Sequence, residues 1–140
     1  MLRGVADVNF LVSALVKPRG VSGRLLDAAF EGQWQLVVSP HLLAELDEVL
    51  HRDKFRRWFP ATEADQSVID IKAIAEVLPD VPKPWPAVTR DPKDDYLVAL
   101  AKSTDVDAII SGDPHLTELT GLVPPVVRPA DFLTMIESGR

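Results

Sequence analysis

"VADVNFLVSAL", residues 5–15, is apolar at most positions and is broken only by Asp7, Asn9 and Ser13. A run that is apolar on both faces suits a strand buried in a parallel sheet with helices above and below. "QLVVS" (35–39) and "DAIIS" (107–111) are shorter runs of the same kind, and "PPVVRP" (124–129) is a weaker fourth. Between them the apolar spacing turns helical: Leu25, Leu26, Ala29 and Phe30 within 22–31, and Leu42, Leu46, Val49 and Leu50 within 40–52. Helical patterns follow over 62–76, 92–103 and 130–137. Strands alternating with helices predict an α/β protein, a three-layer α/β/α sandwich around a central parallel sheet. Gly32 suits a helix stop, while Ser39-Pro40 and Asp91-Pro92 suit helix starts with a capping side chain and proline in the first turn.

Composition agrees with one core. The chain has 140 residues, 46% of them hydrophobic, which predicts a single domain over 1–140. "LPDVPKPWP" (78–86) reads as an extended connector, because too little chain flanks it to make two cores. There is no cysteine, so disulfide frameworks and thiol chemistry are excluded, and a metal would have to sit on oxygen or on one of three histidines. Asp7 and Asn9 speak against reading the start as a signal peptide. No apolar run approaches the roughly 20 residues that span a bilayer, which predicts a soluble, cytoplasmic protein with no membrane partner. A net charge of −6 argues against broad electrostatic capture of nucleic acid and leaves room for a local basic patch.

In an open parallel sheet, ligands bind beyond the carboxyl ends of the strands. Asp7 falls there, inside an apolar run where a carboxylate is costly to bury unless something compensates it. Asp113 follows the 107–111 run through Gly112, so the two should be neighbours. "RDPKDDYLVALA" (90–101) crowds further aspartates against a helix start. Asp91 suits the N-cap, and Asp94 suits the first turn at the positive end of the helix dipole. Asp95, aligned with Val98, Ala99 and Lys102 in a helix apolar almost all round, is the one expected to meet a partner. Glu45 sits at the edge of the apolar stripe of 40–52 and can reach inward. Each has an ordinary structural use: Asp113 can cap a turn before Pro114, and Glu45 can be a solvated helix charge. Four converging carboxylates raise one another's pKa unless a cation holds them, and an oxygen-only set suits Mg²⁺ or Mn²⁺.

With these motifs in order, the chain resembles the PIN-domain family, and in particular the small VapC-like toxins of toxin–antitoxin systems. The resemblance rests on "DVNFLVSAL", "VVSPHLLAELDEVL", "RDPKDDYLVALA", "AIISGDPHL" and the closing "RPADFL". The first motif often reads Asp-Thr-Asn or Asp-Thr-Ser in such proteins, where this chain has Val8. The resemblance implies a metal-dependent endoribonuclease with Asp7, Glu45, Asp95 and Asp113 as catalytic metal ligands, and with Asn9, Ser13 and Ser111 orienting them. It further implies Mg²⁺ or Mn²⁺ as cofactor, RNA as substrate, cleavage to a 3′-hydroxyl and a 5′-phosphate, a cognate antitoxin and a homodimer. A bound Mg²⁺ lowers the pKa of its water and neutralises charge developing on phosphate, so no protein nucleophile is needed. Glu45 or Asp113 is the candidate proton acceptor.

For the RNA backbone, Lys17, Arg19 and Arg24 are expected near the Asp7 strand end, while "HRDKFRRWF" (51–59) reads as a solvated helix end with packed aromatics. His41, His51 and His115 share no metal-ligand spacing and read as surface residues. A receiver-type phosphoacceptor domain is the main alternative; it fits poorly, because the second run ends in Ser39 and Lys102 lies within a helix. A catalytically silent PIN-like binding module is the other.

Overall fold

The chain folds around five parallel strands in the order β3-β2-β1-β4-β5 in a computed structural model that describes residues 1–119 and 121–139. The elements run β1 (Arg3–Ala6), α1 (Val8–Val16), α2 (Val21–Phe30), β2 (Gln35–Val38), α3 (Pro40–Leu50), a 3₁₀ turn (Asp53–Phe55) and α4 (Ala61–Ile74). They continue with β3 (Glu76–Val77), α5 (Pro92–Lys102), β4 (Ala108–Ile110), α6 (Pro114–Thr117), β5 (Val126–Val127) and α7 (Pro129–Ser138). Helices cover both faces, giving the expected α/β/α sandwich. Among the described residues no helix is long and apolar enough to cross a membrane.

The opening stretch is corrected. Only Arg3–Ala6 is strand; from Val8 the chain is helix. The switch is made at Asp7, whose Oδ1 accepts the Phe10 amide and caps α1. Val8, Leu11 and Ala14 then share the helix's buried side. A stretch apolar on all faces does not separate strand from helix by periodicity, and length was the better guide, because buried strands rarely exceed about eight residues. The helical pattern expected over 62–76 ends at Ile74, and β3 follows it. It is two residues long, lies at the sheet edge, and carries no alternation that marks a strand.

The core forms where the central strands meet. Val5 faces Val37 on one side and Ile109 on the other, and all three are fully buried. α5 packs on β1 and β4, while α1 packs on α2 and α3, α2 on α7, and α3 on α4. Trp34 ties α2 to α7. Its Nε1 donates to the Leu25 carbonyl at 2.8 Å and its ring meets Phe132 of α7 edge-on at 5.1 Å. Trp34→Phe deletes that hydrogen bond and one ring of a fully buried side chain. It is expected to cost about 1–3 kcal/mol, read as a lower urea midpoint with an unchanged m-value.

Candidate active site

The strand order reverses between β1 and β4, and the crevice at their carboxyl ends is where this kind of sheet places a site. Asp7 follows β1 and Asp113 follows β4. The Asp7 amide donates to the Ile110 carbonyl at 3.1 Å, which fixes one loop to the other. Ser111, fully buried, links the two carboxylate residues: its hydroxyl donates to Asp7 Oδ2 and accepts the Asp113 amide at 3.0 Å. Asp113 caps α6 by accepting the His115 amide. Asp7 is only 8% exposed. Burial raises its pKa above the ordinary aspartate value against the hydrogen bonds from Ser111 and Phe10, and the charges of Asp113 and Glu45 push the same way.

Glu45 of α3 and Asp94 of α5 complete the wall of this cleft. α3 is aimed by Ser39, whose hydroxyl caps it at the end of β2, and α5 by Asp91, which accepts the Lys93 amide at 2.9 Å. Asp94 is half-buried, and its pKa is raised to about 6 by burial and then by the charges of Asp113, Asp91, Asp7 and Asp95. Among the described residues none of Asp7, Glu45, Asp94 and Asp113 forms an ion pair with lysine or arginine. Asn9 and Ser13, exposed on α1, line the same cleft, as does Val8.

Asp95 does not reach it. The side chain is 7% exposed and its Oδ1 accepts the amides of Val88 and Thr89 at 3.0 and 2.7 Å. The parts expected of these two neighbours are therefore exchanged: Asp94 faces the cleft and Asp95 fastens the proline-rich connector. α5 is buried on several sides, so apolar periodicity gave no register. The signal lay in Asp91. Once it is the cap, Asp94 shares a face with Leu97, which also lines the cleft.

The basic residues also differ from expectation. Lys17, Arg19 and Arg24 are exposed but line no part of the acidic cleft. Because 8–16 is helix, Lys17 stands at the opposite end of α1 from Asp7, roughly 13 Å along its axis. Arg52, Lys54 and Lys93 line the cleft instead, with Phe55. Of the aromatics in 51–59, Phe55 and Phe59 are buried and stacked as expected, whereas Trp58 is exposed under the Arg57 guanidinium; Arg56 donates to the Leu50 carbonyl at the end of α3.

His41 lines the cleft and lies over the Tyr96 ring at 4.5 Å. His115 is exposed. His51 is exposed too, and it stands between Asp47 and Asp65, with Nδ1 at 3.3 Å and Nε2 at 2.7 Å from their carboxylates. A hydrogen bond to the Asp47 carbonyl, and then the two carboxylates, raise its pKa. These three have ligand atoms within 4.8 Å of one another, a set able to hold a metal ion. They also form an ion-pair bridge between α3 and α4 that is complete without one.

Comparison with known proteins agrees with this arrangement. The PIN-domain family model matches residues 3–115. MJ1680 of Methanocaldococcus jannaschii, an uncharacterized protein, is 27% identical over 118 residues, covering 84% of this chain and 75% of that one. The crystal structure of PAE2754 from Pyrobaculum aerophilum superposes with a TM-score of 0.65 over 98% of this chain and 90% of that one; at 14% identity it is a likeness of fold. A PIN-domain match across most of the chain, on a five-stranded parallel sheet with acidic residues at its switch point, places this protein in the PIN-domain family, whose fold is generally that of metal-dependent nucleases.

Proposed function

We propose that the chain is a Mg²⁺- or Mn²⁺-dependent endoribonuclease, the toxin of a toxin–antitoxin pair, acting as a single-domain protein that forms a homodimer. The observation that carries the nuclease reading is the cleft itself. Four carboxylates, Asp7, Glu45, Asp94 and Asp113, line one crevice at the switch point of the sheet, with no lysine or arginine paired to any of them among the described residues. Their oxygen-only donor set fits a hard divalent cation, and the raised pKa values of Asp7 and Asp94 are the mark of a site short of positive charge.

Asp7, Glu45, Asp94 and Asp113 would hold the cation, which supplies a water of lowered pKa and neutralises charge developing on the phosphate. The chain's own residues do the positioning. Ser111 and the Phe10 amide fix both oxygens of Asp7, and Ser111 holds the Asp113 backbone in register with it. Arg52, Lys54 and Lys93 on the rim offer charge to the flanking RNA phosphates that the carboxylates would otherwise repel.

Purified protein freed of any antitoxin is expected to cleave single-stranded RNA in Mn²⁺ or Mg²⁺ and leave 5′-phosphate ends. Excess EDTA should reduce the rate by at least about a hundredfold. Cleavage undiminished in EDTA, or none with either metal on a panel of single-stranded and structured RNAs, would sink this reading.

A further inference from the structure

The connector over 78–91 carries a second recess, bordered by Trp85, Lys83, Pro92 and Glu48, that runs into the acidic cleft: His41, Glu45 and Lys93 line both. We infer that this recess binds an unstacked nucleobase of single-stranded RNA next to the phosphate being cut, with Trp85 as the stacking surface. The inference rests on the ribonuclease reading for its substrate class, and on the geometry below for its place.

Trp85 is half-buried, so part of the indole stays accessible while the rest is anchored. Its Nε1 donates to the Val81 carbonyl at 2.9 Å, and its ring packs edge-on against Tyr96 at 4.9 Å and His41 at 6.4 Å. The Lys83 ammonium lies 5.1 Å from the ring centroid. The backbone beneath is fastened at both ends. Asp80 accepts the Tyr96 hydroxyl at 2.5 Å and the His41 amide at 3.2 Å, and Asp95 accepts the amides of Val88 and Thr89. Ser39 adds a hydrogen bond to the Tyr96 hydroxyl, so the end of β2 and the helix that bears Glu45 share this frame.

Trp85 keeps part of its indole accessible, with the Lys83 ammonium over its ring and Lys93 lining the same recess, which opens into the acidic cleft. A fixed aromatic face with cations around it is how single strands are held without sequence readout, because every base offers a π-face and every link a phosphate. The same frame explains the burial of Asp95: it holds the platform at a set distance from Asp94, one residue away in the chain. Bases in a duplex are already stacked and cannot enter such a recess.

The test compares wild type with Trp85→Leu, which keeps apolar packing but removes the stacking surface, and with Trp85→Phe. An eight-nucleotide single-stranded RNA is titrated by fluorescence anisotropy in EDTA, and cleavage of the same RNA is followed in Mn²⁺. Trp85→Leu should bind about tenfold more weakly and raise KM by a similar factor with kcat within twofold, while Trp85→Phe recovers most of the loss. Thermal melting checks that both variants fold. If wild type cleaves and Trp85→Leu binds and cleaves with unchanged Kd and KM, the platform is overturned and the nuclease reading stands. A Trp85-dependent Kd in a protein that never cleaves upholds the platform and removes the nuclease reading. A kcat loss with constant KM, or a folded Trp85→Phe no better than Trp85→Leu, also overturns the platform.

Discussion

Asp94→Asn is expected to lower the rate of RNA cleavage by at least about a hundredfold and to leave the metal-free protein at least as stable as wild type at pH 7. Asp95→Asn should do the opposite. Asp94 faces the cleft, and its pKa is raised to about 6 by burial and by Asp113, Asp91, Asp7 and Asp95. A folded-state value above the ordinary aspartate value of 3.8 means that ionisation is unfavourable in the native protein. The penalty is absent below the unfolded pKa, grows as pH rises through the window from 3.8 to about 6, and is complete above it. The neutral asparagine escapes it, so its stability advantage should emerge over that window and persist at pH 7. Asp95 instead accepts two amides of the connector from a buried position. Charge-assisted bonds of this kind contribute about 1.5–3 kcal/mol, and an amide returns only part of it. Urea unfolding of both variants in EDTA, paired with cleavage rates normalised to folded protein, checks both arms. Asp94→Asn at near wild-type activity, with Asp95→Asn inactive though folded, would restore the assignment that the sequence suggested.

Why that assignment came out shifted by one residue says what a sequence carries here. The α/β class, the parallel sheet and most helix limits were legible because alternation, prolines and capping residues repeat along the whole chain, and no single segment decides them. Ser39-Pro40 and Asp91-Pro92 both start helices as read. Asp7 and Asp113 were legible because a carboxylate next to an apolar strand has few other uses, and both do sit at the adjacent ends of β1 and β4. The register of α5 was not legible from its apolar pattern. Asp94 and Asp95 are chemically identical neighbours, α5 is apolar on most sides, and only the fold shows that Val88 and Thr89 return to claim one of them. The basic residues failed for a related reason. Reading 5–15 as strand put Lys17 and its neighbours near the site, whereas a helix starting at Val8 carries them to its far end and leaves the cleft to Arg52, Lys54 and Lys93.

The cleft's residues are arranged at some cost to stability, which is the usual condition of sites built from like charges. Among the described residues Glu48 pairs with Arg52, Glu76 with Arg3, and Asp47 and Asp65 with His51. The four cleft carboxylates are unpaired among those residues and, unlike acids scattered over the surface, line one crevice. Burial, with repulsion from neighbouring carboxylates, makes Asp7 and Asp94 favour either a proton or a cation, so metal affinity and the protonation of these two draw on the same oxygens.

Asp7→Asn tests that coupling at its most buried member, and should abolish cleavage, a loss of about a thousandfold or more on the scale of removing a transition-state stabilising group, without unfolding the protein. An asparagine Oδ1 can still accept the Phe10 amide and cap α1, since asparagine caps as well as aspartate. On the other side the new amide would face the Ser111 hydroxyl, which already accepts the Asp113 amide and has a second lone pair to offer, so the buried link can be rebuilt with its donor reversed. Against that modest cost stands the removal of a buried charge whose pKa is raised chiefly by desolvation. The pH dependence follows with its sign. For wild type in EDTA, Asp7 and Asp94 each bind protons more tightly folded than unfolded, so both contribute a fall in stability as pH rises above about 4. In Asp7→Asn one of those contributions is gone, and the fall from pH 4 to 7 should be shallower. Saturating Mn²⁺ should raise the wild-type melting temperature strongly at pH 7, weakly at pH 5 where protons compete for the same oxygens, and much less in the variant at either pH. A variant that melts as wild type does with Mn²⁺ at both pH values, and cleaves within tenfold of it, would show that Asp7 neither holds the cation nor belongs to the reacting centre.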